Sequence, residues 1–112
     1  MKPIEEVYGK DYTFVDVRSP KEFAEDHIPG AINIPLFDND ERAIVGTLYT
    51  KTSRDAAVDK GLEIFSEKLP EMVKKYKELK QPICIYCWRG GMRSRAVVSL
   101  LKSIGYDVIQ LE

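Results

Sequence analysis

Apolar and polar residues change period several times along the chain, and each change marks an element. Tyr12-Thr13-Phe14-Val15-Asp16-Val17 is aromatic and β-branched, which predicts a strand. Ser19-Pro20-Lys21-Glu22 follows at once. Ser suits the cap, Pro the first turn, and Glu three residues past the cap completes a capping box, so a short helix is expected to about Asp26. Ile28-Pro29-Gly30 breaks it, and Ala31 to Ile34 reads as a short extended run closed by Pro35. Phe37 to Ser53 is polar without a clear period, and no element is predicted there. With Ser53 as a cap, a helix is expected from near Arg54. Leu62, Phe65, Leu69, Met72, Val73, Tyr76 and Leu79 then recur at helical spacing. Pro70 interrupts that stripe, so two helices or one kinked helix are expected, ended by Gln81-Pro82. Ile83-Cys84-Ile85-Tyr86-Cys87 is apolar throughout, as in a strand buried on both faces. Trp88 to Met92 reads as a glycine-bearing loop, Ser94 to Ile104 as a helix stopped by Gly105, and Val108 to Leu111 as a last strand. Strands alternating with helices predict an α/β fold: three layers, with a central parallel sheet flanked by helices.

Composition narrows the function classes. A chain of 112 residues is expected to form a single domain, 1–112. Its 44% hydrophobic and 31% charged residues are ordinary for a globular protein and exclude disorder as the default. Ile83 to Trp88, the longest uncharged apolar stretch, falls far short of the ~20 residues of a membrane span. Met1 to Glu6 has no apolar h-region, so no signal peptide, no membrane partner and a cytoplasmic location are expected. Two Cys and one His make neither a disulfide framework nor a four-ligand zinc site, and no metal or cofactor is expected. The net charge of −1 excludes the whole chain as an electrostatic nucleic-acid binder. Yet Leu79 to Tyr106 holds Lys80, Arg89, Arg93, Arg95 and Lys102 and no carboxylate. If that window forms one surface, it is an anion site.

The segment that carries chemistry is Cys87-Trp88-Arg89-Gly90-Gly91-Met92-Arg93-Ser94, set between a buried strand and a helix N-terminus. Ligands bind at that end of open α/β sheets. Glycines let consecutive N–H groups converge as an anion nest, the helix N-terminus adds partial positive charge, and Arg93 adds a fork suited to oxyanions. A cysteine opening such a loop is expected to be a nucleophilic thiolate, with Ser94 as a hydrogen-bond donor to it. Cys84, inside the strand, is expected to be core. The formal C-x-x-C of Cys84 and Cys87 is no redox pair, because three strand steps part the Cα atoms by roughly 10 Å against a disulfide limit near 7 Å.

Other residues read more plainly. His27, in a helix-ending turn, is expected to be structural rather than a general base. Asp16 and Arg18, at a strand end, are expected to form a buried pair supporting the loop. Trp88 either stacks on a base or packs to shape the loop. Arg89 is taken as a second anion ligand, and Lys74-Lys75-Tyr76-Lys77 as a solvated face.

Asp16-Val17-Arg18-Ser19-Pro20, Glu22-Phe23, His27-Ile28-Pro29-Gly30-Ala31 and a strand ending in Cys87 resemble the rhodanese-like sulfurtransferase domain from about Thr13 to Glu112. Cys87 and Arg93 stand as C-x5-R, one residue longer than the ordinary rhodanese loop and the length found in cysteine phosphatases. Within that superfamily, Tyr86 to Ser94 is similar to the loop of the tRNA 2-selenouridine synthase family, as are Glu41 to Thr47 and Lys51 to Gly61. The resemblance implies an enzyme domain, a transferase that moves selenium from selenophosphate to the wobble 2-thiouridine of tRNA through a geranylated intermediate. Cys87 would be the essential cysteine, carrying selenium as a perselenide. Trp88, Arg89, Gly90, Gly91, Met92, Arg93 and Ser94 would hold the anion. The family also carries a P-loop domain, and no G-x-x-x-x-G-K-[ST] occurs here, so a P-loop partner in this or another polypeptide is expected for the whole reaction. The alternatives are a cysteine phosphatase with an acid drawn from Asp38 or Asp40, a generic thiosulfate or persulfide sulfurtransferase, and a non-catalytic binding module.

Overall fold

A computed structural model describes residues 1–88 and 91–111. Four parallel strands form one sheet in the order β2-β1-β3-β4: β1 is Thr13–Asp16, β2 Ile32–Asn33, β3 Ile83–Tyr86 and β4 Val108–Gln110. Among the described residues, five helices connect and flank them: α1 (Ile4–Val7), α2 (Pro20–Glu25), α3 (Asn39–Lys51), α4 (Arg54–Lys77) and α5 (Met92–Ser103). Alternation along the strands splits the core in two. Val15, Val17, Ile83 and Ile85 face one way and pack with Ile64, Met72 and Tyr76 of α4 and Val97, Val98 and Leu101 of α5. Phe14, Cys84 and Tyr86 face the other way and pack with Val7 of α1, Ile28 and Leu111. Both faces of β1 and β3 are therefore covered, which is why β3 is apolar at every position. The sheet and its two covering layers are those expected from the alternation of elements.

The central register aligns the site. Asp16 pairs with Tyr86 and Phe14 with Cys84, so β1 and β3 end side by side. Beyond them, the Val17 N–H donates to the Tyr86 carbonyl at 3.1 Å.

Several boundaries differ from the pattern-based expectation. Phe37 to Ser53, left without an element, contains α3, which buries none of its residues completely and so writes no apolar stripe. Its start is fixed by a capping box in which Asp38 accepts from the Glu41 N–H at 2.8 Å and Glu41 from the Asp38 N–H at 2.9 Å. The helix α4 is a single helix running through Pro70. Its buried face carries Ala57, Ile64, Met72 and Tyr76, whereas Leu62, counted in the stripe, is 58% exposed. The helix α5 begins two residues before Ser94, so Met92 and Arg93 belong to its first turn. The basic window does not make one free surface: Lys80 pairs with Asp11 and Arg93 with Glu22.

Candidate active site

Cys87 follows the last residue of β3 and is half-buried, while Cys84 is fully buried within the strand; neither is in a disulfide. Burial alone pushes the Cys84 thiol up to about 11, as fits a core sulfur. Gly91 is the N-cap of α5 in the left-handed region, with φ +69°, and offers no side chain to the helix's first N–H groups. One of those groups finds the sulfur instead: the Ser94 N–H donates to Cys87 Sγ at 3.4 Å. Cys87 Sγ also meets Ser94 Oγ at 3.3 Å, with the thiol donating and the serine accepting, the reverse of the expected direction. The geometry thus sets a cysteine sulfur at the positive end of a twelve-residue helix. Sequence patterning gave no hint of Gln110, whose Nε2 donates to Ser94 Oγ at 2.9 Å and to the Gly91 carbonyl at 3.1 Å.

Arg93 reaches sideways to α2. Its two terminal nitrogens donate to the two oxygens of Glu22 at 2.8 and 3.2 Å. Glu22 also accepts from the Ser19 N–H and hydroxyl, and Arg42 of α3 stands 3.6 Å away. Partial burial works against the Glu22 charge, but hydrogen bonds from Arg93 and Ser19 and the Arg93 charge outweigh it and bring its pKa down to about 2. A guanidinium has five N–H donors, and Glu22 takes two of them. Glu22 was expected only as a capping residue; its second task appears once the strands and α5 are assembled.

The other wall comes from the end of β1. Asp16 and Arg18 form the expected buried pair, with Arg18 Nε 3.1 Å from both carboxylate oxygens and NH2 donating to one of them at 2.8 Å. Burial opposes the Arg18 charge, yet Asp16 more than compensates and its pKa moves up. Asn33 Nδ2 ties the Asp16 and Arg18 carbonyls at 3.0 Å each. The Arg18 guanidinium lies 5.0 Å from the centroid of the Trp88 ring, and the Tyr86 ring lies 5.6 Å from it. Trp88 is therefore braced from two sides while remaining 44% exposed. Met92 is also exposed, and Arg89 and Gly90 lie outside the described residues.

His27 stacks on Phe23 with ring centroids 3.7 Å apart, and its Nδ1 lies 2.7 Å from the Phe23 carbonyl, a local turn contact away from the sulfur network. Lys74, Lys75 and Lys77 are exposed around a buried Tyr76, as a solvated face requires. Asp38 is occupied by its cap and Asp40 sits in the first turn of α3; among the described residues, neither is hydrogen-bonded to the Cys87 loop. No group of three or more His, Cys, Asp and Glu among the described residues is placed to hold a metal ion. No helix among them is long and apolar enough to cross a membrane.

Comparison with known proteins agrees with this fold. The family profile described as a Rhodanese-like domain matches residues 4–112. A protein of Bdellovibrio bacteriovorus named tRNA 2-selenouridine synthase is 36% identical over 108 residues, covering 93% of this chain and 28% of its own length. One of the same name from Cronobacter sakazakii is 40% identical over 99 residues, covering 85% of this chain and 26% of its own. The chain thus spans little more than a quarter of the curated relatives it matches. Among solved structures, the N-terminal domain of a candidate ATP/GTP-binding protein from Clostridium difficile 630 superposes with a TM-score of 0.91 at 46% identity. That likeness covers 98% of this chain and 88% of the other.

Proposed function

The chain belongs to the rhodanese-like family, and on that premise we propose that it is the selenium- or sulfur-handling domain of a tRNA 2-selenouridine synthase-type transferase, with Cys87 as its nucleophile. The observation that carries this reading is the Cys87 sulfur held against the first turn of α5 by the Ser94 N–H and hydroxyl. A helix N-terminus and a hydroxyl both favour a charged sulfur. The relatives named tRNA 2-selenouridine synthase support the chemistry, selenium placed on a tRNA uridine.

Selenophosphate is the proposed donor. Its phosphate would lie in the loop from Trp88 to Arg93, on N–H groups at the start of α5. Arg93, oriented by Glu22, would add the donors that Glu22 leaves free. Electron balance then decides the step. Thiolate attack on selenium, which gives a Cys87 perselenide, expels phosphorus at the phosphite level; release of phosphate by that route would need an oxidant. Attack on phosphorus needs none: an S–P bond forms, the P–Se bond breaks, and hydrogen selenide leaves for C2 of the uridine. Water then cleaves the S–P bond, returning the thiol and phosphate. That second course suits a C-x5-R loop. The role of a geranylated uridine is to provide a thiol leaving group at C2 for the incoming selenium. Geranyl transfer itself is assigned to a P-loop domain, in this polypeptide or a partner. The length of the relatives and the description of the solved neighbour as ATP/GTP-binding support that assignment.

Treating the chain with selenophosphate and mapping its peptides by mass tests the reading. The adduct should form on Cys87, survive in Cys84→Ala and vanish in Cys87→Ala. Selenium's isotope pattern separates a perselenide from a phosphocysteine. Adducts equally on both cysteines, or on neither, would overturn the assignment. Sustained turnover of an aryl phosphate would return the site to the phosphatase alternative, and loading only from thiosulfate to the generic sulfurtransferase.

A further inference from the structure

We infer that Gln110 is a positioning residue for the Cys87 sulfur: its side-chain amide holds the Gly91 carbonyl and the Ser94 hydroxyl so that the serine proton is free to turn to a thiolate. The inference rests on Cys87 being the nucleophile and assigns a residue from a strand that no motif marks.

The argument is a count of donors and acceptors. The Gly91 carbonyl can only accept, so the Gln110 group facing it at 3.1 Å is the NH2, which fixes the amide's orientation. The second amide hydrogen goes to Ser94 Oγ at 2.9 Å. Ser94 Oγ has one proton of its own and two places to send it: the Gly91 carbonyl at 3.1 Å or Cys87 Sγ at 3.3 Å. When Cys87 is a thiol, its S–H donates to Ser94 Oγ and the serine proton goes to Gly91. When the thiol proton leaves to solvent, the serine proton turns to the sulfur. The Gly91 carbonyl accepts the Arg95 N–H at 2.9 Å in both states, and Gln110 supplies it with a second donor in both. Without Gln110, the turn would leave the carbonyl without that second donor next to a buried Ser94, which is 1% exposed. The amide therefore removes an obstacle to the thiolate without touching the sulfur.

The placement is specific. A Cβ on Gly91 would stand 3.0 Å from Gln110 Nε2, so the glycine both takes the left-handed turn and admits the amide. The strand holds its end: Gln110 is paired in register with Ile85, and its carbonyl accepts from the Lys2 N–H at 3.0 Å. Among the described residues around the loop, Arg93 is matched by Glu22 and Arg18 by Asp16, and these charges do not change when Gln110 is replaced by a neutral side chain.

The experiment is the pH profile of iodoacetamide alkylation at Cys87, followed by peptide mass on the 112-residue chain. Wild type is compared with Gln110→Met, which keeps the shape without the donors, and with Gln110→Ala, Ser94→Ala and the double variant Ser94→Ala/Gln110→Met. Both Gln110 variants should move the midpoint up by about half a pH unit or more, a roughly threefold slower reaction at neutral pH, with the high-pH plateau unchanged. The double variant should shift no further than Ser94→Ala alone. Midpoints at the wild-type value in either the Gln110 variants or Ser94→Ala would overturn the inference, as would additive shifts in the double variant. An unreactive wild-type Cys87 would strike the proposed function itself, a result separate from a reactive Cys87 indifferent to Gln110.

Discussion

Asp16 and Arg18 are charged, yet both are buried, at 0% and 2% exposure. Two charges leave water at the end of β1 only because each finishes the other's hydrogen bonds, with Asp26 closing the far side of the guanidinium through its carbonyl at 2.6 Å. The pair also sets Trp88, since the guanidinium lies against the indole. Removing one partner strands the other. Asp16→Ala is expected to lose about 3–5 kcal/mol in urea unfolding, and Asp16→Ala/Arg18→Met to recover part of that, because the double variant buries no unpaired charge. A loss below about 1 kcal/mol in the single variant would show that water reaches Arg18 more readily than its burial implies. The charged strand end was legible in the sequence as a pair, because the two residues lie two apart on a strand that the β-branched run announces. Gln110 and Asn33 were not legible: each acts through one amide on groups distant in sequence, and a lone amide carries no period and no motif.

At the scale of elements, legibility follows how each one is stabilised. Strands β1 and β3 bury both faces and are spelled out by apolar runs. The start of α2 was visible because Ser19-Pro20-Lys21-Glu22 is a local code, satisfied in the fold by Ser19 and Glu22 as a reciprocal pair. The helix α3 was missed because its code was equally local but had no apolar stripe behind it. Its cap and the Glu41–Lys68 ion pair to α4 stand in for a buried face. The stripe on α4 was misread at Leu62, which is exposed while Ala57, Ile64, Met72 and Tyr76 are buried. These differences set an expectation for α3. Asp38→Ala should cost about 1 kcal/mol, the usual value of an N-cap, and should raise amide hydrogen exchange within α3 while leaving β3 protected. Exchange rising equally in β3 would mean that α3 is part of the cooperative core.

Across the whole molecule, Glu22 joins three helices through charge. It begins as half of the α2 capping box, holds Arg93 on α5, and has Arg42 of α3 nearby, so three helices meet at one carboxylate beside the Cys87 loop. Its pKa of about 2 makes this junction sensitive to acid. A carboxyl held below its unfolded value, near 4.5, binds fewer protons in the folded state than in the unfolded one. Its contribution to stability is therefore complete above that unfolded value and is lost as pH falls from there through about 2. Because Glu22 remains partly open to solvent, salt should weaken the effect. Urea midpoints measured between pH 7 and pH 2 should fall for wild type and fall less steeply for Glu22→Gln. The two curves should differ most at neutral pH and converge towards the acid end, as the Glu22 carboxyl gains its proton. The other carboxylates titrate in both proteins and cancel in the difference. Parallel curves would mean that Arg93 is held by the packing of α5 rather than by the Glu22 charge. Its orientation towards the loop would then survive without the carboxylate, and the role given to Glu22 in aiming it would fall.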